Sequence, residues 1–132
     1  MNGSELFNPP YGYKTDTRID SSGNDVAVAG MCCTGYIPLS GSSSKGDIIR
    51  IKNFTVNGTK TPYFIVYNAN GTISGSSSAD ILTNGGSVNA FDTIIEDGVC
   101  TITLKVNNMH SCRLSVGNID DSTIITVNRP IT

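Results

Sequence analysis

Val99-Cys100-Thr101-Ile102-Thr103-Leu104-Lys105-Val106 is the stretch whose reading decides the class of fold. Cys100, Ile102, Leu104 and Val106 alternate with Thr101, Thr103 and Lys105. A period of two puts apolar groups on one face of a pleated strand and polar groups on the other. The stretch therefore predicts a half-buried β-strand, entered through a turn at Asp97-Gly98. Cys112, Leu114 and Val116 repeat the rhythm, which places Arg113 and Ser115 on the wet face.

Working outward, Tyr63-Phe64-Ile65-Val66-Tyr67 is apolar on both faces and reads as a central strand covered on both sides. Asp47 to Val56 reads as a longer strand with a fault. Ile49 and Ile51 share one face, and the apolar phase then slips to Phe54 and Val56. Such a slip marks a β-bulge or a strand that crosses between sheets. Further strands are predicted at Val26 to Ala29, Thr34 to Leu39, Ile81 to Leu82, Asp92 to Ile95 and Thr123 to Asn128. Ser22-Gly23-Asn24, Lys45-Gly46-Asp47, Asn57-Gly58, Asn70-Gly71 and Asn84-Gly85-Gly86 supply turns between them. Ser40 to Ser44 and Ser74 to Ser78 read as flexible surface loops. No window carries a helical apolar stripe. The expectation is an all-β fold: one antiparallel β-sandwich domain over residues 11–132, with about eight or more short strands. Residues 1–10 read as an extended arm in which Leu6 and Phe7 are the apolar anchor for assembly.

Composition narrows the function. The 132 residues are 15% charged, against roughly 25% in soluble domains, so Ser, Thr, Asn and Gly must furnish the polar surface. The net charge is -2 and the basic residues are scattered, which gives nucleic acid no electrostatic footprint. No apolar run approaches the ~20 residues of a membrane helix, so no membrane insertion is expected. Met1-Asn2-Gly3-Ser4-Glu5 lacks the basic and apolar regions of a signal peptide. That reads as a protein made and assembled inside a cell, or as a piece of a longer one.

A search for chemistry finds little. His110 is the single histidine and reads as part of a polar turn, with Met109 tucked at the core edge. Glu96-Asp97 and Asp120-Asp121 are carboxylate pairs in turn-like segments, read as solvated charge rather than as an acid/base pair. Asn68-Ala69-Asn70-Gly71 has calcium-loop spacing but neutral side chains, and reads as a hairpin turn. Cys32, Cys33, Cys100 and Cys112 fit no metal spacing. They read as buried thiols, or as one disulfide from the vicinal pair to Cys100 or Cys112. No catalytic residue, metal or cofactor is expected. Carbohydrate binding needs no titratable group, only exposed aromatic platforms with polar neighbours. Tyr11, Tyr13 and Tyr36 are the aromatics least committed to a core strand, and so the candidate glycan-binding residues.

Laid end to end, several short motifs carry a resemblance. They are Leu6-Phe7-Asn8, Gly12-Tyr13, Arg18-Ile19, Ser22-Gly23, Thr34-Gly35-Tyr36-Ile37-Pro38-Leu39 and Lys45-Gly46-Asp47-Ile48-Ile49. They continue through Tyr67-Asn68-Ala69-Asn70-Gly71, Ile73-Ser74-Gly75-Ser76, Leu104-Lys105-Val106 and Leu114-Ser115-Val116-Gly117. The chain in this respect resembles β-sandwich domains of bacteriophage tail and baseplate appendages. The same motifs occur in carbohydrate-binding domains attached to bacterial surface enzymes. The resemblance implies a jelly-roll-like sandwich displayed on a virion, commonly as a trimer, with a structural or host-adhesion role. It supplies no binding residues to carry over. The self-contained look of the chain points to a capsid decoration or head-fibre component rather than a fragment of a tail fibre. Two expectations follow. One is a non-enzymatic virion surface protein, assembled in the bacterial cytoplasm, whose partners are other virion proteins and further copies of itself. The other is a carbohydrate-binding module that recognises a bacterial surface glycan.

Overall fold

The computed structural model describes residues 12–56, 63–76, 79–120 and 122–128. The strands are β1 (Lys14–Ile19), β2 (Asp25–Cys33), β3 (Ile37–Gly41), β4 (Ile48–Lys52), β5 (Phe64–Asn68) and β6 (Ile73–Ser76). After the short helix α1 (Ala79–Asn84) come β7 (Gly86–Ser87), β8 (Phe91–Glu96), β9 (Val99–Leu104), β10 (Met109–Val116) and β11 (Ile124–Val127).

The alternating stretch forms β9, with Cys100, Ile102 and Leu104 buried and the residues between them half-buried. Asp97 and Gly98 both take left-handed φ, +52° and +76°, in the tight turn from β8. β9 sits at the centre of a five-stranded antiparallel sheet in the order β11-β4-β9-β8-β7. The second sheet runs β1-β2-β10-β5-β6, with β3 also paired to β10. Its pairs are antiparallel too. One hydrophobic cluster joins the two sheets. Ile49, Ile51, Phe91 and Ile102 from the first meet Phe64, Val66, Cys112 and Leu114 from the second. Phe64 and Phe91 meet edge to face across the core at 5.0 Å. Each such large side chain contributes about 1.5–3 kcal/mol by leaving water. The fold is thus an all-β sandwich of two antiparallel sheets. Its strand order does not by itself identify a jelly roll.

β5 is buried along Phe64 to Tyr67, as a strand covered on both faces should be. The phase slip after Lys52 is the chain leaving the five-stranded sheet. Asn53 takes φ +63°, and Thr55 then bridges to Asn118, just beyond β10 of the other sheet.

Four expectations need correction. Ile81 and Leu82 lie in α1, not in a strand. Both are buried, and a helical turn can bring two adjacent side chains to one core where a strand would send them to opposite faces. Gly85 ends the helix at φ +78°; a Cβ there would stand 2.8 Å from the Thr93 carbonyl oxygen, so only glycine lets the chain pass so close to β8. His110 lies in β10, exposed, at a break in register between Met109 and Ser111, rather than in a turn. Neither serine-rich stretch is a simple loop. Ile73 to Ser76 form β6, and Ser44 is buried, its Oγ donating to the Val106 carbonyl (2.7 Å) and accepting from Met109 N (3.1 Å). Arg113 and Ser115, expected on the wet face, are buried. The β1–β2 hairpin is folded across that face: Ile19 N donates to Ser115 Oγ (3.2 Å) and Asp25 pairs with Arg113.

Candidate functional site

Along one edge of β10, β2 and β3 follow each other as an interrupted strand. Ser115 pairs with Cys33, but Cys112 pairs with Ile37, so the register advances by one residue across Thr34 to Tyr36. This bulge holds because Thr34 substitutes for the missing ladder contact. Its N–H donates to Leu114 O (2.8 Å), and its Oγ1 accepts from Leu114 N (2.9 Å). The extra residue lets Tyr36 stand out from the sheet, 58% exposed.

Tyr36 does not stand alone. Its ring meets Tyr67 of β5 edge to face, with centroids 5.2 Å apart, and the Arg113 guanidinium lies 4.9 Å from its centroid. Arg113 is held in turn by three neighbours. Nε donates to Thr34 O (2.9 Å), one terminal nitrogen to Asp25 Oδ1 (2.7 Å), and the other approaches Cys33 Sγ at 3.5 Å. Lys14 Nζ reaches the second Asp25 oxygen at 2.5 Å. Burial would raise the Asp25 carboxyl, but the hydrogen bonds from Arg113 and Lys14 outweigh it and hold the group below the usual carboxylate range. Beneath the aromatic pair, burial pushes the Cys33 thiol and the Tyr67 hydroxyl up, with Arg113 opposing both shifts. The Tyr67 hydroxyl is buried and has no hydrogen-bond partner among the described residues. The arrangement is a fixed aromatic plate backed by a buried cation. Such a plate can stack on an apolar ring face or a sugar face without paying to order itself.

Of the three candidate tyrosines, Tyr13 and Tyr36 lie among the described residues. Tyr36 is the exposed member, whereas Tyr13 is half-buried against the core between the sheets. Tyr11, Leu6 and Phe7, with the arm over residues 1–10, lie outside the described residues, as do Asn57-Gly58 and Asp121. Tyr67, Arg113 and Asp25 completed the plate unannounced. The sequence carried no signal for them, because Arg113 keeps the polar phase of the Cys112, Leu114 and Val116 alternation just as a solvated residue would.

The remaining sequence candidates are occupied locally. Asp97 is exposed in its turn. Asp120 accepts from Ser122 Oγ (2.6 Å), Ser122 N (2.8 Å) and Asn118 Nδ2 (3.1 Å), which lower its carboxyl. Asn68 Oδ1 accepts from Asn70 N and Thr72 N, a turn built on its own backbone. All four cysteines are free and buried. Cys32 faces the core between the sheets while its neighbour Cys33 faces outward, so strand geometry separates the vicinal pair. Among the described residues no group of three or more His, Cys, Asp and Glu could hold a metal ion, and no helix is long and apolar enough to cross a membrane.

A cleft of about 270 Å³ opens at one end of the sandwich, lined by Phe54, Val56, Leu82, Ile95 and Cys100 among others. Burial pushes the Cys100 thiol up to about 12, which leaves it protonated and unreactive at neutral pH. Comparison with protein-family models, with curated proteins and with solved structures finds no match to the chain.

Proposed function

We propose that the protein is a non-enzymatic bacteriophage virion surface component, a capsid decoration, head-fibre or tail-appendage protein with a jelly-roll-like sandwich. It works by docking to other virion proteins and to copies of itself. One observation carries this reading: the appendage-domain motifs imply an antiparallel β-sandwich, and the chain forms one. The neutral, serine- and threonine-rich composition suits a surface that must stay soluble without attracting nucleic acid. The test is particle composition. Mass spectrometry of purified virions should find the chain in a fixed copy number, and deletion of its gene should remove a visible feature. Particles that never contain it would end the reading.

A second reading, glycan binding, is favoured by Tyr36 alone. Its ring is exposed, and Tyr67 and Arg113 fix its orientation. A bacterial surface glycan would stack a sugar ring on the open part of Tyr36. Glycan-array binding lost in Tyr36→Ala and retained in Tyr13→Ala would support it. A silent array with the wild-type protein would sink it.

A further inference from the structure

The outer face of the six-stranded sheet is covered by a piece of the same chain joined to it through an irregular hinge. β1 and β2 pair at Lys14–Cys33 and Thr15–Cys32, then again at Thr17–Ala27, Arg18–Val26 and Ile19–Asp25. Between the two runs Asp16 alone faces Val28 to Met31. Both sides of this break carry a left-handed residue, Asp16 at φ +52° and Gly30 at φ +82°, and Gly30 N donates to Asp16 Oδ1 (3.2 Å). Past the hinge the hairpin turns back over β10 and β5. Ile19 N bonds Ser115 Oγ, Asp25 pairs with Arg113, and the tip at Gly23 lies against Tyr67 and Ile73. Beneath it Cys33, Ile65 and Tyr67 are buried, an apolar face that would stand in water if the hairpin lifted.

We propose that this face is an interaction surface for a second copy of the chain, whose own hairpin seats on it in a swapped oligomer. The second copy's hairpin carries the same Ile19, Gly23 and Asp25, so the contacts these residues make in the closed form can be remade between copies. What differs is the hinge. A closed hinge keeps Asp16 in a backbone region that costs any residue with a side chain, although aspartate tolerates it better than most. Opening the hinge frees Asp16 and Gly30 to relax, and the relief offsets part of the entropy lost on association. This inference does not rest on the virion reading.

The full chain, refolded over a series of concentrations, tests this by size-exclusion chromatography with light scattering. A Cβ at Gly30 meets nothing within 4 Å, so Gly30→Ala adds backbone strain to the closed hinge and no clash. It should raise the association constant about tenfold, and Asp16→Gly should lower it. Gly71→Ala is the control: φ there is +76° and the space is equally open, but the turn lies off the hinge. It should destabilise the fold and leave association unchanged. The proposal is overturned if wild type and Gly30→Ala stay monomeric throughout. It is equally overturned if an oligomer forms that ignores both hinge substitutions, or that responds to Gly71→Ala as strongly as to Gly30→Ala.

Discussion

Arg113 keeps a full positive charge at 3% exposure, and three contacts make that position tolerable. The Asp25 carboxylate neutralises it, the Thr34 carbonyl accepts a hydrogen bond from its Nε, and its guanidinium carbon lies over the Tyr36 ring. Truncation would leave Asp25 partly buried with Lys14 as its remaining cation, and the Thr34 carbonyl without that donor. Arg113→Met should therefore lower the unfolding free energy by about 2 kcal/mol in urea titrations, somewhat below the cost typical of a fully buried pair because Asp25 keeps some water. Lys14→Met, at the exposed end of the same network, should change it far less. Asp25 also sets a pH dependence. Its carboxyl titrates lower in the folded chain than in the unfolded one, so its contribution is complete above the unfolded value near 3.8. As pH falls from there through the folded value, protonation removes it. Wild type should lose stability more steeply than Asp25→Asn below pH 4, and parallel pH profiles for the two would contradict this.

Thr34 joins two strands that the sequence presents as separate. Its hydroxyl accepts the Leu114 N–H at the point where the β2–β3 run gains a residue against β10. Thr34→Val keeps the shape and removes the acceptor, leaving a buried N–H unpaired. The expected loss is about 1–3 kcal/mol, with faster exchange of the Leu114 amide in hydrogen-exchange spectra. Thr34→Ser, which restores the hydroxyl, should recover most of the protection. Elements whose side chains alternate cleanly were legible in advance, as β4 and β9 show. β1 was not, because Lys14-Thr15-Asp16-Thr17-Arg18 has no apolar rhythm and stays extended through pairing with β2. α1 was missed because two adjacent apolar residues fit a short strand as well as one turn of helix.

The four thiols give a test that spans the molecule. Cys32, Cys100 and Cys112 line the core between the sheets and Cys33 the cluster under the hairpin, all of them free. Native protein should react negligibly with a thiol reagent, and protein in denaturant should titrate four groups. Two groups in denaturant would instead reveal a disulfide. Vicinal cysteines left that question open, since spacing does not say which face each side chain takes.

Alternation, turn residues and the doubly apolar Tyr63 to Tyr67 run together determined the all-β class and most strand positions. These are local consequences of a period of two and of backbone preferences. The plate of Tyr36, Tyr67 and Arg113 was decided only by the tertiary structure. It depends on a one-residue bulge between β2 and β3 and on a hairpin folded back over the sheet. Pairing across 80 residues, as between Thr34 and Leu114, leaves no periodic mark in either segment. A buried arginine in β10 has the same sequence pattern as a solvated one until the strand that covers it is in place.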